Sequence, residues 1–322
     1  MGNKNGIKHF KLFYQQSYGG SLMSISRFSQ NPILTKENIS FKVNSVFNAG
    51  AVKFKNEYLL VCRVEMPSGR SSFLLARSKD GINFKADSKP CLSPQDHGTF
   101  NKYTEWGIED ARVTKIGNKF YLTYTGYSKH KPLVILSETE DFEKFNVLGP
   151  ITAPLNKDCS LFPEKIDNQY WKIDRPSADD RHDMWISKSP DLIHWGGFEF
   201  LTEPIAGTWE ADKIGISTQP VKTKEGWLVL YHGVRGFGIS FLYKLGVMLL
   251  DLHKPWKIIG RSAEPILAPE LDYERIGDVG NVVFCNGWIV ENNGDVKIYY
   301  SGADTNICLA DTTVDYLLSQ CK

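Results

Sequence analysis

The chain has 322 residues, of which 42% are hydrophobic, and a formal net charge of +1. This length allows one large β domain or two domains of ordinary size. The even balance of charges argues against a nucleic acid as the main partner, because the chain has no long basic run to release counterions. No stretch approaches the roughly 18 apolar residues of a membrane-spanning helix, so no membrane partner is expected.

The first thirty residues precede a series of repeats and are predicted to form an N-terminal arm (1–30), followed by a repeat domain (31–315). The arm has neither an apolar run of about seven residues nor a small-residue cleavage site, so a signal peptide is not expected. It is rich in aromatic residues, which predicts that it covers a sheet edge or a neighbouring subunit. These residues are Phe10, Phe13, Tyr14, Tyr18 and Phe28.

The six cysteines are irregularly spaced and include no C-x-x-C pair. Cys62, Cys159 and Cys308 lie inside apolar strand-like runs, where a free thiol behaves as a small hydrophobic group. This usage indicates reduced thiols and predicts a cytoplasmic protein. No cluster of histidine, cysteine and carboxylate residues has the spacing of metal ligands, so no metal is expected.

A hairpin-like run, in which a polar turn precedes an alternating apolar strand, recurs five times along the chain. If the first large residue after each turn is taken as an anchor, the gaps between anchors are 62, 50, 57 and 69 residues. The anchors are Tyr58, Phe120, Tyr170, Trp227 and Val296.

A second unit follows the first three anchors, in which a strand leads through a polar turn to an aromatic residue. The corresponding fourth copy is degenerate, and the fifth is truncated near the C-terminus. Two hairpins per repeat are typical of a four-stranded propeller blade. We therefore predict an all-β, five-bladed β-propeller with its active site in the central channel; the alternative is a large β-sandwich with similar hairpins.

Two sets of equivalent positions favour the propeller, because all ten are polar although they flank apolar strands. Five residues after the anchors stand Arg63, Thr125, Arg175, His232 and Ser301, and ten residues before them stand Asn48, Asp110, Ser160, Ser217 and Asn286. In a propeller such strand ends converge on the channel mouth, where ligands bind. Asp110, in the run Gly107 to Arg112, is the only carboxylate of the ten.

One carboxylic acid facing a group of cations suits a particular reaction. An inverting glycosidase needs an acid for the leaving oxygen and a base to activate water. If the nucleophile is already an anion such as phosphate, a cationic clamp replaces the base. Lys157, Arg175 and His232 are the candidates for this clamp. A solvated loop lysine, a strand-end salt bridge and a core histidine are the respective structural alternatives.

Aromatic residues near the same strand ends indicate a sugar ligand, because the apolar faces of sugars pack on such rings. Ordinary core packing is the alternative, since aromatic residues make up 12% of the chain. The residues concerned are Tyr103, Trp106, Trp209, Tyr231 and Trp288.

From about Asn31 to Asp311 the chain resembles glycoside hydrolase family 130, the β-mannoside phosphorylases. The resemblance rests jointly on several motifs, and it implies the same five-bladed propeller. The motifs are Phe47-Asn48-Ala49-Gly50-Ala51, Gly107-Ile108-Glu109-Asp110-Ala111-Arg112, Asn156-Lys157-Asp158, Arg175-Pro176, Lys213-Ile214-Gly215, Tyr231-His232-Gly233-Val234 and Ser301-Gly302-Ala303-Asp304-Thr305.

The resemblance implies inverting phosphorolysis of β-mannosides to α-mannose 1-phosphate and a shortened acceptor. Asp110 corresponds to the general acid, which in β-1,4 members is thought to act through a hydroxyl of the bound mannose. Lys157, Arg175 and His232 correspond to the phosphate ligands. The predicted substrate-binding residues are Asn48, Arg63, Tyr103, Glu109, Lys213, Tyr231 and Asp304.

Departures from the family pattern leave the acceptor and the linkage open. Ala111 stands where the family usually has proline, and the run from Gly215 to Pro220 also differs. The linkage is β-1,4 or β-1,2, with an oligomannoside or a mannosyl-glucose as substrate. Phosphate is expected as co-substrate without any cofactor, and the assembly as a monomer or a homo-oligomer.

Two other functions remain as alternatives. A β-mannosidase that uses water would need a second carboxylate near the sugar, for which Glu210 is the candidate. A non-catalytic sugar-binding propeller would not depend on Asp110. Family members that are hydrolases lack the basic phosphate ligands, whereas this chain keeps all three.

Overall fold

Alternating apolar strands joined by short polar turns fold into five antiparallel sheets, as expected from the repeats. The computed structural model describes residues 24–178 and 181–322. Each sheet is a propeller blade whose inner strand lies nearest the central channel, and the prediction of a five-bladed β-propeller is confirmed.

The strands follow chain order from the inside of each blade outward. A short first strand, β1 (Ser26–Arg27), precedes them. The first blade contains β2 (Ser45–Phe54), β3 (Glu57–Glu65), β4 (Ser71–Ser78) and β5 (Lys85–Ala86). The second contains β6 (Gly107–Ile116), β7 (Lys119–Tyr127), β8 (Leu133–Thr139) and β9 (Asn146–Pro150).

The remaining three blades repeat this plan. The third contains β10 (Asn156–Leu161), β11 (Tyr170–Pro176), β12 (Met184–Ser189) and β13 (Gly196–Thr202). The fourth contains β14 (Lys213–Ile216), β15 (Val221–Lys222), β16 (Trp227–Phe237), β17 (Ser240–Leu250) and β18 (Ile258–Arg261). The fifth contains β19 (Val283–Val290), β20 (Asp295–Gly302) and β21 (Asn306–Thr313).

The outer strand of the fifth blade comes from the other end of the chain. Strand β1 pairs with β21, with Ser26 opposite Asp311 and Arg27 opposite Ala310. Arg27 also forms an ion pair with the buried Glu274, with Nε and Oε1 2.7 Å apart. This closure explains why the fifth sequence repeat is truncated. The division into an arm (1–30) and a domain (31–315) stays a prediction, and residues 1–23, with the signal-peptide question, lie outside the described residues.

Helices contribute little to the described chain. Two short α-helices, α1 (Asp272–Arg275) and α2 (Val314–Ser319), and 3-10 helices at Lys36–Asn38 and Pro94–Tyr103 connect or follow strands. None of the helices in the described ranges has the length and apolar character needed to span a membrane. All six cysteines carry free thiols, and every one except Cys91 is buried.

Irregularities in three inner strands set the direction of the site's side chains. The register shifts between Phe47 and Gly50, between Glu109 and Arg112, and between Lys157 and Ser160. A residue with positive φ lies at each bulge: Asn48 (46°), Asp110 (59°) and Asp158 (50°). A bulge re-aims a side chain relative to regular strand alternation. These three side chains meet at the channel.

Candidate active site

A cavity of about 570 Å³ opens at the ends of the inner strands. All predicted site residues line it except Tyr103 and Tyr231. The lining residues are Asn48, Arg63, Glu109, Asp110, Pro132, Leu155, Lys157, Asp158, Arg175, Ser177, His182, Lys213, His232, Tyr243, Val282, Phe284 and Asp304.

Asp110 lies at one end of this cavity and is nine-tenths buried. Its Oδ1 accepts hydrogen bonds from Asn48 Nδ2 at 2.9 Å and from an Arg63 terminal nitrogen at 3.0 Å. Burial opposes ionisation, but the positive charges of Arg63, Lys157 and Arg112 outweigh it and lower the pKa of Asp110. In the free protein this group is therefore a carboxylate.

Glu109 connects the Asp110 end of the cavity to the cationic end. One carboxylate oxygen accepts from Arg63 at 3.1 Å, and the other accepts from Lys157 Nζ at 3.0 Å. Burial disfavours the charge of Lys157, but Glu109 and Asp110 together raise its pKa. Lys157 is thus charged and held in place on the wall of the cavity.

Arg175 and Lys213 keep donors that no carboxylate of the described residues occupies. Arg175 uses Nε for an ion pair with Asp158, and its two terminal nitrogens make no hydrogen bond within the described residues. Lys213 Nζ lies 4.8 Å from the centre of the Phe241 ring and has no carboxylate within ion-pair distance among the described residues. Burial, and then Arg175 and Lys157, lower the pKa of Lys213. An anion between these groups would relieve their repulsion.

Asp158 organises the cationic end, although the sequence analysis assigned it no role. Its Oδ2 lies 2.8 Å from Arg175 Nε and 3.4 Å from His232 Nε2, and its Oδ1 accepts from Arg112 at 3.0 Å. Burial opposes ionisation, but Arg175, His232 and Arg112 hold the pKa of Asp158 well below its usual range. The carboxylate is therefore ionised and fixes the clamp residues.

His232 lies on β16 and is almost fully buried. Its Nδ1 is 3.4 Å from Ser217 Oγ, and its Nε2 faces Asp158. Burial is the main cause that lowers the pKa of His232, although Asp158 opposes the shift. The imidazole is accordingly neutral at physiological pH and offers a hydrogen bond in place of a charge.

Arg112 is a second residue whose role the sequence analysis missed. It is buried, and its guanidinium donates to the backbone oxygens of Asp110, Ser217 and Ile216 as well as to Asp158. It thus joins the strand that carries Asp110 to the end of the fourth blade's inner strand. Arg112 lies inside β6, two residues after Asp110. The available signal was an arginine among strand residues so close to the candidate acid.

Asp304, in the turn between β20 and β21, is the remaining carboxyl group of the cavity. Burial and the neighbouring Asp110 raise the pKa of Asp304 to about 7, and Arg63 opposes this shift. Asp110 and Asp304 thus differ in protonation although both lie near Arg63. Asp110 is ionised, whereas Asp304 keeps its proton more readily.

The structure places two predicted substrate-binding residues away from the cavity. Tyr231 is fully buried between the third and fourth blades, where its hydroxyl accepts from Arg261 Nε at 3.1 Å. Tyr103 packs against His130 with ring centres 5.6 Å apart, and it does not line the cavity. Neither ring is placed to contact a ligand in the cavity.

Two further candidates also lie in the core. Glu210, considered as a second carboxylate for hydrolysis, is buried and pairs with Arg261 at 2.8 Å. Trp209 and Trp288 are buried between blades. Five of the ten polar strand-end positions line the cavity: Asn48, Arg63, Asp110, Arg175 and His232. The other five are buried and do not line it: Thr125, Ser160, Ser217, Asn286 and Ser301.

Within residues 24–178 and 181–322, no group of three or more histidine, cysteine or carboxylate side chains is arranged to hold a metal ion. The arrangement can instead bind an anion beside a polar ligand whose hydroxyls pair with carboxylates, an amide and an arginine.

Comparisons with known proteins agree on one family. Residues 22–322 match the sequence profile of glycoside hydrolase family 130, described as beta-1,4-mannooligosaccharide phosphorylase. A β-1,2-mannobiose phosphorylase of Listeria innocua is 34% identical over 92% of this chain and 98% of its own length. A β-1,4-mannooligosaccharide phosphorylase of Ruminococcus albus is 33% identical over 99% of this chain and 97% of its own.

Structural comparison gives the same result. The structure of the Listeria innocua β-1,2-mannobiose phosphorylase in complex with β-1,2-mannobiose superposes with a TM-score of 0.86, covering 92% of this chain and 99% of that one at 33% identity. With its five-bladed fold and its channel-end cavity, the chain therefore belongs to glycoside hydrolase family 130, the family of the β-mannoside phosphorylases.

Proposed function

We propose that this protein catalyses the phosphorolysis of β-mannosides, with inversion, to α-mannose 1-phosphate and a shortened acceptor. The observation that carries the proposal is the presence of Asp110 and the cations Lys157, Arg175 and Lys213 in one cavity. The relatives named above, which are phosphorylases of β-1,2- and β-1,4-linked mannosides, support the substrate class.

The two ends of the cavity have separate roles in this scheme. Asn48, Arg63 and Asp304 bind the hydroxyls of the mannose unit beside Asp110. Phosphate binds at the other end, where Arg175 and Lys213 have unused donors and Lys157 adds charge. His232 and Asp158 support this clamp from behind. Phosphate is a co-substrate, and the scheme uses no cofactor.

The reaction exchanges one bond at the anomeric carbon for another. The bond from this carbon to the glycosidic oxygen breaks, and a phosphate oxygen forms the new bond from the opposite face. The leaving oxygen takes a proton that Asp110 supplies, directly or through a mannose hydroxyl. Hydrogen phosphate loses one proton when its oxygen bonds to the anomeric carbon. Over the full cycle this proton replaces the one that Asp110 gave to the leaving oxygen, so the enzyme returns to its starting state.

The low pKa of Asp110 in the free protein makes proton delivery depend on phosphate. Arg63, Lys157 and Arg112 lower this pKa. A phosphate dianion beside Lys157 offsets part of that positive potential, and protonation of Asp110 becomes more favourable in the complex. The nucleophile and the acid are thus prepared by the same binding event.

Hydrolysis with water is less well supported. An inverting hydrolase needs a base carboxylate across the sugar from the acid. The candidate Glu210 is buried and paired with Arg261 outside the cavity. Water would also leave the positive charge of Arg175 and Lys213 without a function.

An assay of mannose 1-phosphate release from β-1,4- and β-1,2-mannobiose, with and without phosphate, tests the proposal. We expect mannose 1-phosphate only with phosphate; equal turnover to free mannose without phosphate would overturn the proposal. Asp110→Asn should lower kcat by about 10²–10⁴-fold. Asp167→Asn is the matched control, because Asp167 is an exposed aspartate that also has positive φ (51°).

We further propose a cytoplasmic location, because the six free thiols are stable in a reducing compartment. Labelling with a thiol reagent after denaturation under anaerobic conditions should find six reactive groups per chain. A lower number in protein isolated from its native cells would contradict this location.

A further inference from the structure

A second cavity of about 570 Å³, as large as the catalytic one, lies in the groove between the second and third blades. Leu155 and Ser177 line both cavities, and Ser177 N donates to Leu155 O at 2.9 Å. One backbone contact thus separates the two cavities. The second cavity is called the blade-three groove below; its floor is formed by Asn156, Lys172 and Asp174, and its aromatic walls by Trp185, Trp195 and Phe198.

The rim of the blade-three groove presents large apolar side chains to solvent. Phe198, on the outer strand β13, is 62% exposed, and Leu155 and Ile193 are each 41% exposed. Trp185 on β12 and the neighbouring Trp195 are half-buried and complete the wall. A group of exposed apolar side chains around one concave surface is typical of a binding site, because a ligand removes them from water.

The floor of the groove is polar but carries no net charge. Lys172 and Asp174 form a buried ion pair, and Asn156 Nδ2 donates to Asp174 Oδ2 at 3.1 Å. Lys172 Nζ also lies 5.3 Å from the centre of the Trp195 ring. The buried Asn156 Oδ1 has no hydrogen-bond partner among the described residues. Lys172 and Asp174 are the only charged residues of the described lining, and they neutralise each other.

These features together fit a neutral saccharide. The apolar C–H faces of a pyranose pack on aromatic rings, and its hydroxyls can pair with the amide of Asn156 and the hydroxyls of Thr152 and Ser177. An anionic ligand would find no unpaired cation in the described lining, in contrast to the catalytic cavity. The groove has the volume of the cavity that takes a disaccharide in the proposed reaction, so it has room for a mannobiose.

The groove and the phosphate clamp lie on opposite faces of the same two strands. On β10, Asn156 lines the groove and the next residue, Lys157, lines the catalytic cavity. On β11, Asp174 and Arg175 divide in the same way, as strand alternation requires. Asp110 does not line the groove. A saccharide in the groove is therefore not the one whose glycosidic bond is cleaved.

We propose that the blade-three groove is a second saccharide-binding site, which holds a β-mannoside at the enzyme while another is cleaved in the catalytic cavity. The identity of this ligand as a β-mannoside rests on the proposed phosphorolysis. A second copy of the chain is the other occupant that exposed apolar residues could accept. The uncharged polar floor and the shared wall with a saccharide cavity favour the sugar.

The substitution that tests the groove must leave the clamp intact. Asn156 and Asp174 are unsuitable, because each directly precedes a clamp residue. Phe198 lies on the outer strand of the blade, so Phe198→Ala removes an aromatic wall and Phe198→Tyr keeps it. Ile259→Ala is the matched control, since Ile259 is 45% exposed on β18, the outer strand of the fourth blade.

Equilibrium dialysis of radiolabelled β-1,4- and β-1,2-mannobiose against the full chain, without phosphate, counts the bound saccharides. For at least one of these ligands we expect two per wild-type chain and one in Arg63→Ala, which lacks a mannose-binding group of the catalytic cavity. Phe198→Ala should weaken the second site about tenfold, as for the loss of one aromatic contact. Its kcat and KM for mannobiose should stay within about twofold of wild type. Phe198→Tyr and Ile259→Ala should bind as wild type.

Three results would overturn the second site: no mannobiose bound to Arg63→Ala, unchanged binding in Phe198→Ala, or a raised KM for mannobiose in Phe198→Ala. Sedimentation velocity tests the other occupant, because a smaller assembly for Phe198→Ala with wild-type saccharide binding would assign the groove to a second copy of the chain. A wild-type protein that binds two mannobioses but forms no mannose 1-phosphate would reject the proposed function and support the groove, so the two failures are distinguishable.

Discussion

The Asp158 carboxylate and the Arg175 guanidinium face each other across β10 and β11, with Oδ2 and Nε 2.8 Å apart. This contact leaves the two terminal nitrogens of Arg175 available to an anion. Because Asp158 also contacts His232 and Arg112, one buried carboxylate sets the geometry of the cationic end and ties it to the strand that carries Asp110.

Replacing Asp158 by asparagine should therefore affect both stability and phosphate binding. The substitution leaves Arg112 and Arg175 without their buried counter-charge, and the expected loss is about 3 kcal/mol of unfolding free energy. The KM for phosphate should rise because Arg175 is no longer oriented. Urea unfolding and phosphate titration at saturating mannobiose measure the two effects. Asp167→Asn is again the control, and wild-type values for Asp158→Asn would show that this carboxylate does not position the clamp.

Lys213 should behave differently, because it has no carboxylate within ion-pair distance among the described residues. Burial and the repulsion of Arg175 and Lys157 lower its pKa, so the unliganded protein is strained by this charge. Lys213→Met should leave the unfolding free energy unchanged or raise it, while the KM for phosphate increases by about tenfold or more.

Exposed Lys224→Met controls for the loss of one positive charge. The measurements are thermal unfolding without phosphate and steady-state kinetics with varied phosphate. A strongly destabilised Lys213→Met protein, or one with a normal KM for phosphate, would contradict this role.

Much of the fold and site could be predicted because the propeller repeats its local pattern. The spacing of anchors identified the blades, and a constant offset from them found Asn48 and Asp110. In the third blade the same offset selected Ser160, whereas the structure places Asp158 at the equivalent bulge. A bulge changes register by a local backbone rearrangement, which an offset counted from a distant anchor does not detect.

Tyr231 shows a second limit of the sequence pattern. It precedes His232, and adjacent residues of a strand point to opposite faces. His232 reaches the cavity, so Tyr231 faces the neighbouring blade and packs in its core. Strand alternation could have excluded Tyr231 from the site. The 46% exposure of Trp106, by contrast, depends on the packing of two blades and required the structure.

Asp304 predicts a distinctive dependence of stability on pH. Its pKa is about 7 in the folded protein and about 3.9 in an unfolded chain. Between these values the folded state binds more protons, so the contribution of Asp304 to stability falls as pH rises from about 4 to about 7. Asparagine does not titrate, and Asp304→Asn should therefore gain stability relative to wild type across this window.

Urea midpoints of both proteins at pH 5 and pH 8 test this expectation. The lowered pKa of His232 makes stability rise with pH, which is the opposite dependence. His232 is present in both proteins, so its contribution largely cancels in the difference between their unfolding free energies. A stability difference that is constant with pH would show that Asp304 does not retain its proton in the folded state.

Gly215 makes room for the contact between Asp158 and His232. A Cβ at this position would lie 2.6 Å from Asp158 Oδ2 and 2.7 Å from His232 Cε1. Both side chains are buried among charged partners and have little space to move. Gly215→Ala should therefore displace the clamp, cost about 1–3 kcal/mol of stability and raise the KM for phosphate.

The KM for mannobiose should change less than the KM for phosphate, because Asn48, Arg63 and Asp110, at the other end of the cavity, are on the first and second blades. Gly196→Ala is the control, since a Cβ there meets no atom within 4 Å. Kinetics and urea unfolding of the two variants make the comparison. Equal stability and equal KM values for Gly215→Ala and Gly196→Ala would contradict this expectation. Such a result would mean that the contact between Asp158 and His232 tolerates displacement and that phosphate binding does not depend on the position of Asp158.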